Sequence, residues 1–452
     1  MTERTKANLA AAAFFAACLL PAVGMLLPER TAAANQALAP PPSPTKPDGS
    51  WNLDFLQDTT DYIGDHFALR QELITAQAAL EAGIFRSSAE DSVLLGRDGW
   101  LFYRETLPGY LHTEALTERQ LYGTAHTLAL VREYAAGQGA ELLFTVAPNK
   151  CSLYPEQLPA VGTPLDSAGD IDRLRPLLEQ EGVPYVDLFA AFRAQPDVLY
   201  HRLDSHWNAR GAALAHDTLT AALGRDNPFF PGSYQVTRSH RGDLYEMLYP
   251  TGTELDENIV FDRPFTFTHV KEPRSPEDQR IETANPARPG TLLMFRDSFG
   301  NSLYPFMADS FGHAVFSRAM PYQLSMLDEA GADTLLIEIV ERNLDWLATR
   351  APVFPAPERG LNGKPPLGDA RARLAVSDDG TLPGYCRMEG TLAGAVDDSS
   401  PIYVQLGGSL YEACPVGSGE CPFTLYVPEA FLAEAAQVLY LSNGTLYLAA
   451  VS

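Results

Sequence analysis

Two histidines, an aspartate and a tryptophan fall within HRLDSHWNARG, residues 201–211, just ahead of a helical pattern. Asp204 and His206 stand two positions apart, so in an extended segment their side chains leave the same face. The carboxylate can then hold one ring nitrogen of His206 and leave the other free to take a proton as a general base. Two other readings use the same residues. Asp204 or Ser205 can cap the helix expected at 208–224, with His206 merely packed, or His201, Asp204 and His206 can ligate a metal. The metal reading lacks an H-E-x-x-H pattern and a cysteine cluster to complete it, so neither a metal nor another cofactor is expected.

A base of this kind needs a nucleophile. The stretch TLLMFRDSFGNSLYPFM, residues 291–307, is an apolar strand running into Asp297, Ser298 and Gly300 and then into a helical pattern. A serine at a strand-to-helix turn has an exposed hydroxyl and backbone N–H groups close enough to hold an oxyanion. Arg296 stands where a G-x-S-x-G elbow would have its first glycine, so Ser298 or Asp297 as a plain N-cap stays open. At another strand end, Asn149 and Lys150 of APNK (147–150) either donate to an oxyanion or substrate, or lie in a solvated turn. Trp207 reads as packing that steadies His206, and Glu338 and Glu341 receive no role.

The elements that must position these residues follow from the apolar pattern. Runs at 141–148, 183–189, 290–297, 313–317 and 333–340 are rich in Leu, Val, Ile and Phe, as strands buried on both faces are. Helical stretches at 116–139 and 208–224 separate them, and the alternation predicts a parallel sheet flanked by helices. In such sheets functional groups gather where strands end and helices begin, which is where APNK, LDSHW and RDSFG fall.

The chain divides into three parts: 1–50, 51–355 and 356–452. In the first, Arg4 and Lys6 precede an apolar run from Ala7 to Leu27 that is long enough to span a bilayer, followed by a Pro-rich linker. It predicts an uncleaved anchor, or a cleaved signal, that places the protein outside the cytoplasm. The last part alternates aromatics with turn signals such as SNG and predicts a small antiparallel β module, with carbohydrate binding as one reading of its aromatics and core packing as the other. In an exported chain Cys414 and Cys421, which enclose a short loop, are the favoured disulfide pair. A formal net charge of -24 argues against nucleic acid as a partner.

Taken in order, IGDHFALRQEL (63–73), LLGRDGWLFY (94–103), APNKCSLYPEQLP (147–159), LDSHWNARGAALA (203–215), RGDLYEML (241–248), FRDSFGNSLYPFM (295–307) and LLIEIVERNL (335–344) resemble the SGNH hydrolase-like family of bacterial alginate O-acetylation proteins and DHHW proteins. The resemblance implies a three-layer α/β/α fold, circularly permuted because Asp204 and His206 precede Ser298. It implies a triad of Ser298, His206 and Asp204, with Tyr304 and Arg318 lining the site; Asn149, read above from its strand end, is the candidate for a further oxyanion or substrate contact. It also implies O-acetyl transfer through an acetyl-serine to an extracellular or cell-wall polysaccharide, with an integral membrane acyltransferase supplying the acetyl group. A carbohydrate acetylesterase and a non-catalytic carbohydrate-binding scaffold are the alternatives. The acidic balance of the chain speaks against a uronic-acid polymer, unless a local basic patch overrides it.

Overall fold

The computed structural model describes residues 38–451 apart from 68, 166–167, 361–364, 379, 395 and 433–434, together with seven positions between 4 and 15. Cys18 and most of the apolar run 7–27, with its reading as an anchor or signal, lie outside the described residues. Among those described, no helix is long and apolar enough to cross a membrane.

A seven-stranded sheet carries the site. Its strands are β1 (Glu141–Ala147), β2 (Tyr185–Val186), β3 (Thr268–His269), β4 (Arg280–Ala284), β5 (Thr291–Phe295), β6 (His313–Ser317) and β7 (Thr334–Val340), arranged β2-β1-β7-β5-β6-β4-β3. The first five in that order are parallel, as the buried runs predict. The β4 and β3 strands add an antiparallel edge that the sequence reading missed. They are short and largely polar, so no apolar run marks them.

All seven side chains of β7 are buried, and the sheet is covered on both faces. Leu142, Phe144, Val146, Phe295 and Ile337 point into one core with helices α1 (Glu118–Gly137) and, beyond a short turn α2 (Lys150–Leu153), α3 (Asp170–Gln180). Leu143, Leu292, Met294, Leu336 and Val340 point into the other, with α4 (Ala209–Ala222) and α5 (Gly300–Ala308). The alternation follows from the two-residue period of a strand, and each such large apolar side chain contributes roughly 1.5–3 kcal/mol by burial. The domain is therefore three-layered, α/β/α.

Helix α1 opens on a capping box in which Gln120 N–H donates to Thr117 Oγ1 at 3.2 Å and Thr117 N–H donates to Gln120 Oε1 at 3.0 Å. Helix α4 is capped by Asn208, whose Oδ1 accepts from Arg210 and Gly211 N–H. Capping by Asp204 or Ser205 is thereby corrected: Asn208 is adjacent to the first helical residue and takes the orphan donors, so Asp204 is left for other work.

The C-terminal sheet is present and larger than the small module expected. It has nine strands between Glu358 and Val451, paired antiparallel throughout except for Leu367–Ser377 beside Thr445–Val451. It docks on α1: His126 sits between Glu181 Oε2 and Glu412 Oε1, each 3.1 Å away, and Arg359 joins Glu412 to Glu133. Buried charges need such pairing, and the two carboxylates outweigh burial and raise His126 to about 9.

The expected Cys414–Cys421 disulfide is absent, and both thiols are free and buried. Closeness in sequence misled here. Cys414 packs into the core that β1 shares with α1, whereas Cys421 packs into the core of the C-terminal sheet.

Candidate active site

Strands β1, β5 and β7 are in parallel register, so their carboxyl ends meet at one edge, and the segments after Ala147, Phe295 and Val340 converge there. The 296–299 turn is tied down by Asp297. Its Oδ2 accepts from Val340 N–H at 2.7 Å and Asn343 Nδ2 at 2.9 Å, and its Oδ1 accepts from Phe299 N–H at 3.0 Å. Gly300 is needed at the helix start, because a Cβ there would lie 2.6 Å from Arg296 Cβ. Held this way, Ser298 faces a cleft of about 1070 Å³.

The DSHW segment reaches the same cleft. It is a run of bends rather than an extended segment, and it folds because Asp204 Oδ1 accepts both the backbone N–H of His206 (2.9 Å) and its ring Nδ1 (2.7 Å). His206 Nε2 lies 2.9 Å from Ser298 Oγ. Trp207, fully buried, donates through Nε1 to Ser302 Oγ and to Phe299 O, fastening this segment to the start of α5. The structure thus brings Asp204, His206 and Ser298 into one hydrogen-bonded series.

Lys150 secures the segment from beneath. Its buried Nζ donates to the carbonyls of Leu101 (2.7 Å), Arg202 (2.9 Å) and Asp204 (2.9 Å) and lies 4.9 Å from the Trp100 ring centre. Burial lowers it to about 7 against the pull of Asp204 and other carboxylates. Its donors are spent on backbone, so it holds the loop rather than a substrate.

The electrostatics favour a charged His206. Burial opposes it, but Asp204 and Asp243, whose Oδ2 lies 3.4 Å from Nδ1, together raise the ring to about 10. Asp204 is held well below the usual carboxylate range: burial acts upward, and the hydrogen bonds from His206 and His240 overcome it. Under the turn, Glu338 is fully buried, with Oε2 accepting from Asp297 N–H at 3.4 Å and Oε1 unpartnered. Burial, then the Asp297 charge, pushes it well above the carboxylate range, so it sits as a neutral acid.

Of the remaining expected site residues, Arg318 lines the cleft, its Nη1 donating to Glu277 O at 3.1 Å. Tyr304 and Asn149 do not. Tyr304 lies on the face of α5 turned to the sheet, where its ring packs against Phe316 and its hydroxyl is 3.4 Å from His269. Asn149 is buried at the cap of α2, its N–H donating to Glu341 Oε2. Tyr304 is thus turned toward the sheet, and Asn149, in extended backbone at the cap, sits in the packing beneath the loop.

The sequence reading passed over several groups that the cleft contains. Ser205 Oγ donates to Asp243 Oδ2 at 2.6 Å, and His240 Nε2 lies 2.9 Å from Asp204 Oδ2. Arg296 donates to Asn301 Oδ1 at 2.5 Å, and Asn301 lines the cleft. Arg342, Arg350 and Trp346 also line it. His240 immediately precedes the quoted motif RGDLYEML and Asp243 lies within it, but nothing in that motif says it returns to Asp204. Asp204, His206 and Asp243 are close enough to hold an ion. Their ligand atoms already engage protein donors, with Asp204 bound to His206, His240 and Asp243 N–H, and Asp243 to Ser205. His201, part of the metal reading, stacks on His240 instead.

Comparison with known proteins places this geometry. A family model described as the SGNH hydrolase-like domain of acetyltransferase AlgX matches residues 93–279, a span that contains Asp204 and His206 and stops short of Ser298. A probable alginate O-acetylase AlgJ of Pseudomonas syringae pv. tomato is 28% identical over 199 residues, covering 41% of this chain and 49% of that protein. The chain spans about half the length of the curated relatives it matches. Among solved structures, the O-acetyltransferase domain of Pseudomonas putida AlgJ is 19% identical, with a TM-score of 0.37, over 56% of this chain and 92% of that one. A DHHW family protein from Eubacterium siraeum is 17% identical, with a TM-score of 0.39, over 49% and 85%. In sequence, residues 93–279 are similar to the SGNH hydrolase-like domain of AlgX, and the chain is similar over about two fifths of its length to the AlgJ proteins.

Proposed function

We propose that the protein is a serine-dependent O-acetyltransferase acting on a polysaccharide. The observation that carries this is the series Asp204–His206–Ser298 opening on a large cleft. Ser298 Oγ attacks the carbonyl carbon of an acetyl ester or thioester while His206 Nε2 takes its proton, and the carboxylate of Asp204 stabilises the imidazolium. The backbone N–H of Ser298 has no partner among the described residues, which suits it to the tetrahedral oxyanion, with the Asn301 amide as a second donor. His206 then protonates the leaving group. A sugar hydroxyl, deprotonated by the same imidazole, attacks the acetyl-serine and carries the acetyl group away.

The lining of the cleft bears on the acceptor. Arg318, Arg342 and Arg350 make no ion pair among the described residues, and the Arg350 guanidinium lies 5.0 Å from the Trp346 ring centre. Carboxylates of Glu105, Asp243, Glu246 and Glu277 line the same cleft, but these three guanidiniums have no counter-charge of their own among the described residues and offer an anionic chain local partners. They favour a glycan carrying carboxylates, in keeping with the alginate named in the AlgJ relatives. The apolar run 7–27 supports export and tethering at the outer face of the membrane, where a membrane acyltransferase would supply the acetyl group.

The test incubates the protein with a chromogenic acetate ester and either uronic-acid or neutral oligosaccharides, and follows the products by mass spectrometry. Acetylated uronic-acid oligosaccharide is expected. Free acetate alone would make the protein an esterase. No acetyl release by the wild type, or release unchanged in Ser298→Ala, would overturn the reading.

A further inference from the structure

Asp204 is bound on both of its oxygens. Oδ1 serves His206, and Oδ2 accepts from Asp243 N–H at 3.0 Å and from His240 Nε2 at 2.9 Å. The second imidazole is delivered there by the backbone. His240 ends the strand Tyr234–His240, and the register with Asp256–Phe261 slips between Arg238 and His240. Such bulges re-aim the side chain at which they occur. Just beyond, Gly242 lets the chain pass so close to the Asp204 loop that a Cβ there would lie 2.3 Å from Leu203 O. The His201 ring stacks on His240 with centres 3.7 Å apart and planes 10° from parallel, fixing its orientation. Burial, then His240, lowers His201 to about 4, so the pair does not carry two adjacent cations.

Resting on the proposed function, we propose that His240 is a positioning residue of the acyl-transfer site: its Nε2–H holds Asp204 Oδ2 so that Oδ1 stays aimed at His206 Nδ1. His240 touches neither Ser298 nor the acetyl group, and its action passes through the carboxylate. A carboxylate tied only on Oδ1 can turn about its terminal bond, and the imidazole it orients turns with it. Two anchors on Oδ2, one from backbone and one from an aromatic ring stacked in place, remove that freedom. The charged and titratable groups that face His240 are His201, Asp204, Asp243, Asp256 and its neighbour Arg241, with Lys150 beyond His201.

The experiment compares His240→Ala with His240→Gln, whose amide can reach the same oxygen, using acetate-ester turnover and ring NMR of His206 across pH. In His240→Ala, kcat is expected to fall by about 10- to 100-fold with KM little changed, and the His206 titration to move to lower pH as its carboxylate loosens. Most of both effects is expected to be reversed in His240→Gln. A merely structural histidine would lower the melting temperature and the active fraction in both variants without moving the titration, and that result overturns the proposal. So does wild-type kcat in His240→Ala. Ser298→Ala serves as the control: if it keeps the wild-type rate, the reading of the site itself has failed, whereas a dead Ser298→Ala beside an undisturbed His240→Ala removes only the role of His240.

Discussion

Two serine–histidine–aspartate series run through the same core, and only one of them opens on the cleft. Ser298, His206 and Asp204 meet at the carboxyl edge of the sheet. On the opposite side of α5, His216 Nε2 lies 2.7 Å from Ser310 Oγ, and His216 Nδ1 lies 2.8 Å from Asp217 Oδ1. By distance the second series is as good as the first, yet His216 is 0% exposed and Ser310 3%, and neither lines the cleft. Ser310 follows the end of α5 rather than a strand-to-helix turn. Its N–H is spent on Met307 O, and its hydroxyl also accepts from Asn227 Nδ2 at 2.9 Å. Asp217 is engaged by the backbone of Phe229 and Phe230. The hydrogen-bond order is therefore not what makes a nucleophile. Access, an unpartnered donor beside the hydroxyl and an accumulation of negative charge around the imidazole separate the two regions.

Removing each serine in turn gives the sharpest break between them. Ser298→Ala is expected to lower acetate-ester turnover by about a thousandfold or more, as loss of a nucleophile that acts in concert with its base does. Ser310→Ala is expected to leave turnover unchanged and to cost about 1–3 kcal/mol of stability in a urea titration, because His216 and Asn227 lose a buried partner. Equal loss of activity in the two variants would erase the distinction.

A middle-sized effect concerns the charge around His206. The folded protein holds this ring at about 10 through Asp204 and Asp243, and only its neutral form can take the proton of Ser298. Turnover should accordingly rise as pH increases toward that value. Asp243→Asn removes one of the two carboxylates and keeps the shape, so His206 loses its proton more easily and the acid limb moves to lower pH, by about one pH unit. At neutral pH the variant should be the faster enzyme. A limb that stays in place, or moves up, would mean that Asp243 does not set the charge state of His206.

These contrasts also mark what the sequence could carry. The five parallel strands were legible because burial on both faces makes each a continuous apolar run. The β3–β4 edge was not, since two short polar strands leave no such trace. Asp204 and His206 were readable together because the contact is local, and Ser298 because it lies in the turn between a strand and a helix. The surroundings of Tyr304 were not legible because spacing along a helix does not say which face meets the sheet, and those of Asn149 because a strand end does not announce what packs over the next residue. His240 and Asp243 stayed hidden because a register slip and a return of 36 and 39 residues bring them to Asp204. His216 with Asp217 raised no signal at all: within α4 they read as ordinary helical positions, and their partner Ser310 is 94 residues away.

The smallest expected effect is on stability, and it has opposite signs in the two series. His206 has its proton affinity raised on folding, so its contribution is fully present below the unfolded value near 6.5 and is lost as pH climbs toward about 10. His216 has its affinity lowered: burial dominates, and the Asp217 carboxylate only partly offsets it. The unfolded chain then binds the proton more readily, and His216 withdraws stability as pH falls through about 6.5. Urea midpoints of His206→Gln and His216→Gln, each measured against wild type at about pH 5.5 and about pH 9, test both signs at once. The His206 variant should lose more at the acid end than at the alkaline end, and the His216 variant should show the reverse. If both slopes ran the same way, the two imidazoles would share one charge state in the folded protein, and the carboxylates around His206 could no longer be what distinguishes a site from a buried look-alike.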